Sequence, residues 1–203
     1  MPRLFSIKPS LVLRGRKFKG IRGFAGKPSH PPLTDIPVAA YLIVAVTDVL
    51  SYITWKMGRV DLADDFFVTG THVIIAGAAV STLTIATGFW DWFKSTPPGT
   101  QAWRTANWHM AVMLTMSVLV AVNVFLRLSF WSANVRFPDL PILITSVLIG
   151  SMVAYGSIYG GTMVYEYAFN VEGDFDHAYE KSEHDKIPGR ADPVQEIESS
   201  SEA

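Results

Sequence analysis

The sequence predicts an all-α protein, an integral membrane four-helix bundle with a basic N-terminal tail and an acidic, disordered C-terminal tail. Three observations carry this. Apolar residues gather into four long runs, charges are confined to the two ends and the short connectors, and the six tryptophans fall at or near the ends of the runs. The overall apolar share, just under half, could belong to a soluble domain as well. The distribution decides the class.

Each run is long enough to cross a hydrocarbon core, which takes about 20 helical residues. Span one covers residues 37–57 and opens on Pro37, a residue suited to a first turn because no intrahelical N–H bond is lost there. Span two covers residues 66–93 and follows the acidic pair Asp64 and Asp65. Spans three and four cover residues 104–131 and 140–169. Strands are excluded because the runs are too long, and small-residue stretches such as Ala76-Gly77-Ala78-Ala79 suit closely packed helices. The chain therefore divides into a basic segment at 1–29, the four-span domain at 30–169 and a tail at 170–203.

Tryptophan placement checks the spans independently. Trp55 and Trp131 lie at one set of span ends, and Trp90, Trp92, Trp103 and Trp108 at or near the other, as an aromatic belt at two interfaces requires. Orientation follows from Lys and Arg. Residues 1–36 carry eight of them against the single acid Asp35, and the same side holds Lys94 and Arg104. The opposite side holds Lys56, Arg59, Arg136 and Arg127. The positive-inside rule then places both termini in the cytoplasm. From Phe169 onward ten acids face three bases with few apolar side chains, a composition that predicts disorder. No cleaved signal peptide is expected, since Leu4-Phe5-Ser6-Ile7 and Leu11-Val12-Leu13 are too short for its apolar core.

Composition also narrows function. With no cysteine there is no disulfide framework, thiol nucleophile, c-type haem attachment or self-held iron–sulfur cluster. The basic run at 14–22, with Phe18 and Ile21 among its charges, reads as a segment facing lipid headgroups, and no nucleic-acid partner is expected. No Gly-rich phosphate loop and no nucleophile with an ordered base is present, so no catalytic residue is assigned and the chain is not expected to be an enzyme.

Ionisable and amide side chains within the spans are costly and need a partner or a purpose. One group lies deep. Asp48 of span one and His72 of span two differ in depth by only about 5 Å at helical rise, and Asn123 and Arg127 approach the same level from span three. This network either holds helices together or passes protons and contacts a quinone or cation. A second group gathers at the cytoplasmic interface: His30 and Asp35 before span one, Asp91 at the end of span two, Arg104 and His109 at the start of span three, and Glu166 at the end of span four. His30, Asp91 and His109 form a metal-ligand set by residue type, although their spacing matches no recognised motif and the carboxylates have Arg104 as an alternative partner.

Haem gives a sharper test, because its two axial imidazoles must stand on opposite faces of one ring. His72 and His109 both lie near helix N-termini in antiparallel spans, so their depths differ by about 15 Å in a core about 30 Å thick, and they cannot share a haem. His30 and His109 share one face, and can do so if the segment from His30 to Pro37 folds back against the bundle. The cofactor stays open between haem b and a metal ion.

The segment His30-Pro31-Pro32-Leu33-Thr34-Asp35-Ile36-Pro37 with Asp48, the run Gly88-Phe89-Trp90-Asp91-Trp92, His109, Arg127, and Gly160-Gly161-Thr162-Met163-Val164-Tyr165 together resemble an uncharacterised bacterial four-helix membrane domain family, over residues 26–171. The resemblance implies a domain of unknown function that in some members is fused to a Rieske-type iron–sulfur domain, and hence proximity to electron transfer. It weights the site towards His30, Asp35, Asp91 and His109; His72 matches no family position. The first reading is an accessory or anchoring protein beside a respiratory or photosynthetic redox complex. A haem b- or metal-binding electron carrier and a small ion or proton transporter using Asp48 and His72 are the alternatives.

Overall fold

A computed structural model describes residues 20–21, 28–96, 98–133 and 137–169. Within them lie four helices: α1 (His30–Lys56), α2 (Val60–Ser95), α3 (Gln101–Ser132) and α4 (Leu140–Tyr165). All four are long and apolar enough to cross a membrane. Most of the tails, 1–19 and 170–203, on which the expectation of C-terminal disorder falls, lies outside the described residues.

Short connections fold the helices back on one another. Gly58 (φ 76°) turns α1 into α2, and Gly99 (φ 88°) stands just before α3; both occupy the left-handed region that suits a residue without Cβ. Thr100 caps α3 by accepting from the Trp103 N–H (3.1 Å), and Asp139 accepts from the Leu140 N–H (2.8 Å) with Pro141 in the first turn of α4. In the resulting bundle α1 packs most extensively on α2, and α3 on α4, while α1 also meets α4 and α2 meets α3. Among the described residues the backbones of the diagonal helices α1 and α3 stay apart, and the two helices meet through side chains such as Asp48 and Arg127.

The first span begins earlier than its apolar run suggests. Helix α1 starts at His30, with Pro31 and Pro32 in its first turn, so Pro37 lies inside the helix. The segment from His30 to Pro37 does not fold back; it continues the helix along α2. Pro37 has no N–H to give the Leu33 carbonyl, and the Thr84 hydroxyl of α2 donates to that carbonyl instead (3.0 Å). Helix α2 likewise starts at Val60, before Asp64 and Asp65, and α4 ends at Tyr165.

Small residues set the close approaches. A Cβ on Gly77 would lie 2.8 Å from the Ala40 Cβ, and one on Gly150 would lie 2.9 Å from the Ala45 Cβ, so α1 sits tightly against both α2 and α4. Tyr41, Val44, Ile74, Met116, Val120 and Ile149 fill the centre. Outward faces carry Leu83, Val118, Phe125 and Ile158, more than half exposed, as surfaces in contact with lipid require.

Candidate functional site

Two polar clusters lie in this apolar bundle. The deeper one is built around Arg127 of α3, which is fully buried together with Asp48, Asn123 and Ser146. Asn123 stands one turn before Arg127 on the same helix face and accepts from its Nε–H (2.7 Å). The guanidinium donates through Nη1 to the Thr71 hydroxyl on α2 (3.0 Å), and through Nη2 to the Asp48 carboxylate on α1 and the Ser146 hydroxyl on α4 (3.3 Å). Ser146 in turn donates to Asp48. The Asn123 amide donates across to α4, to the Ile142 carbonyl (3.1 Å) and the Thr145 and Ser146 hydroxyls (2.7 and 2.9 Å). The Phe67 ring lies 5.1 Å from the guanidinium carbon.

Every helix therefore contributes to one closed network. Moving two charges into an apolar core is costly, and the ion pair offsets that cost only where further hydrogen bonds occupy the remaining donors and acceptors, as here. Asp48 Oδ1 is the exception, with no hydrogen-bond partner. It faces the bare Cα of Gly70, where a Cβ would lie 3.2 Å from that oxygen and 2.8 Å from Thr47 Oγ1.

Asp48, Asn123 and Arg127 are thus brought together, and His72 is not. One residue past Thr71, about 100° around the helix, His72 points outward and is exposed, its ring edge-on to Trp131 at 6.1 Å.

The second cluster lies at the end of the bundle that carries the start of α1 and the α2–α3 loop. His30 is half-buried against α2, and its Nδ1 donates to the Thr84 carbonyl (3.0 Å), with the Thr87 hydroxyl at 3.3 Å. His109 is half-buried against α4, and its Nδ1 donates to the Gly156 carbonyl (2.9 Å). Both rings thus lie at this one end of the bundle, His30 beside Thr84 near the end of α2 and His109 near the start of α3. Asp91 is buried and accepts at Oδ1 from the Ile21 N–H (3.1 Å), while the Ser29 N–H donates to the Ile21 carbonyl (3.0 Å). Asp91 thus holds the chain before α1 against the last turns of α2. Asp35 is exposed on α1. Among the described residues no three His, Cys, Asp or Glu side chains gather into a group that could hold a metal ion, so His30, Asp91 and His109 are not joined as one ligand set.

A family model described as "Predicted membrane protein (DUF2231)" matches residues 26–173, well over half of the chain. The chain belongs to this family. The DUF2231 match takes in all four helices and both polar clusters. No curated protein and no solved structure matches the chain.

Several residues of these DUF2231 clusters do not stand out in the sequence. Thr71 and Ser146 complete the Arg127 network, yet hydroxyl residues are common in these helices and most bond back to their own helix, as Thr69, Thr115 and Ser151 do. Thr84 and Gly156 act through backbone carbonyls, which no residue type signals. The glycines beside the rings stand among other small residues, Gly88 after Gly77, Ser81 and Thr84 and Gly160 after Gly156 and Ser157, so they read as packing positions.

Proposed function

We propose that this protein is a non-catalytic membrane scaffold, an accessory or anchoring subunit held beside an electron-transfer complex, with both termini in the cytoplasm. The observation that carries the reading is the Asp48–Arg127 network. It joins all four helices, is sealed from solvent and occupies nearly all its own donors and acceptors. A substrate or ion pathway needs groups that exchange partners; a rigid support needs groups that do not. The orientation of the Lys and Arg residues supports the cytoplasmic termini, and the resemblance to a family with Rieske-fused members supports the redox partner.

Native electrophoresis of mildly solubilised membranes tests this. The tagged chain is expected in a band several times its 22.4 kDa mass that also carries a cytochrome or iron–sulfur signal from other subunits. Migration alone or as a homo-oligomer, with no redox-active partner, would overturn the accessory role.

A further inference from the structure

The two half-buried histidines are held in the same way by different helices. In each hairpin, α1–α2 and α3–α4, a histidine on the first helix donates Nδ1–H to a backbone carbonyl on the second. The carbonyls belong to Thr84 and Gly156, each four residues before a glycine, Gly88 or Gly160, whose bare Cα lies beside the imidazole. A Cβ at Gly88 would fall 2.6 Å from His30 Cε1, and one at Gly160 would fall 3.4 Å from His109 Cε1. A Cβ at Gly88 would crowd the His30 ring severely, and one at Gly160 would rest in ordinary contact with the His109 ring. The missing side chain at Gly88 gives the His30 imidazole access to a carbonyl that its own helix already uses.

This arrangement fixes the tautomer. A carbonyl only accepts, so Nδ1 carries the proton on both rings and each Nε2 keeps its lone pair. Neither Nε2 has a hydrogen-bond partner among the described residues. An imidazole with Nδ1 tied to a carbonyl and Nε2 left open is the form in which histidine binds a metal. The two rings come from the diagonal helices α1 and α3, whose backbones stay apart; His30 lies beside Thr84 and Gly88 near the end of α2 and His109 near the start of α3, so the α2–α3 connection sets both at one end of the bundle.

The geometry points to a bis-imidazole site for haem b, with His30 Nε2 and His109 Nε2 as the two axial ligands. Haem suits two protein ligands because the porphyrin supplies the other four nitrogens, whereas a structural zinc ion takes four from the protein. No third His, Cys, Asp or Glu joins the pair among the described residues. The chain has no cysteine for covalent attachment, so the haem would be held non-covalently, as haem b is. The site stands on its own geometry and does not rest on the accessory role.

Haemin titrated into the detergent-purified full chain, followed by visible spectroscopy before and after dithionite, tests it. The expected result is saturation at one haemin per chain, with a low-spin Soret band and sharp α and β bands on reduction. His30→Asn and His109→Asn keep a donor within reach of the carbonyl but remove Nε2, and each is expected to abolish the low-spin spectrum while melting stays cooperative. Added imidazole should restore that spectrum on haemin that co-elutes with either variant in gel filtration, which no loss of folding would allow. Gly88→Ala, which displaces the His30 ring, should weaken haemin binding tenfold or more, and His72→Ala should leave it unchanged. No saturable Soret change, an unaltered spectrum in either Asn variant, or a stoichiometric bare metal ion in place of haem would overturn the proposal.

Discussion

Arg127 shows how a charge is made tolerable in an apolar bundle: it is never left with one partner. Its removal strands the Asp48 carboxylate, and breaking a buried pair from one side costs about 3–5 kcal/mol. Arg127→Met is therefore expected to lower unfolding stability in detergent by that amount, measured by SDS titration. Asp48→Leu combined with Arg127→Met removes both charges and should recover part of the loss, because no charge is left unpaired while the neutral Asn123 Oδ1 loses its donor. His72→Ala should change stability by no more than about 0.5 kcal/mol, since the ring is exposed and outside the network. The charged members of this cluster were legible in the sequence because Asp and Arg inside an apolar run demand a partner. His72 met the same criterion and failed it. Depth in the membrane follows from residue number, but the face of the helix depends on packing, and the neighbouring Thr71 occupies the inward face.

At the scale of the helix, the number and order of spans were legible and the start of α1 was not. A proline at the head of an apolar run suggests a helix start, yet Pro37 sits in a helix already one to two turns long. What permits this is a tertiary bond, Thr84 Oγ1 to the Leu33 carbonyl, which no local pattern announces. Thr84→Val leaves that carbonyl unsatisfied and is expected to cost about 1–3 kcal/mol. In a Pro37→Ala background the restored N–H at position 37 can serve Leu33, so Thr84→Val should cost less than half as much. A double-mutant cycle in detergent reads the difference directly. Gly70→Ala tests the closeness of α1 and α2 in the same way. Its Cβ would meet Thr47 Oγ1 at 2.8 Å, and the overpacking is expected to cost about 1–3 kcal/mol.

The whole molecule is two helical hairpins joined along α1–α4 and α2–α3 and tied across by the Arg127 network. The proposed direction in the bilayer rests on the Lys and Arg asymmetry, and a C-terminal green fluorescent protein fusion is expected to fluoresce while an alkaline phosphatase fusion stays inactive. The reverse pattern would invert the proposed orientation. A single buried network reaches every helix, so the bundle should open as one rigid body. Hydrogen exchange of the detergent-solubilised protein along an SDS titration tests it most directly, when α1–α2 and α3–α4 are read separately. The wild type is predicted to open both hairpins at one common midpoint, and Arg127→Met to lower that midpoint and split it in two. Hairpins that already open at different midpoints in the wild type, or a single unshifted midpoint in Arg127→Met, would contradict the claim.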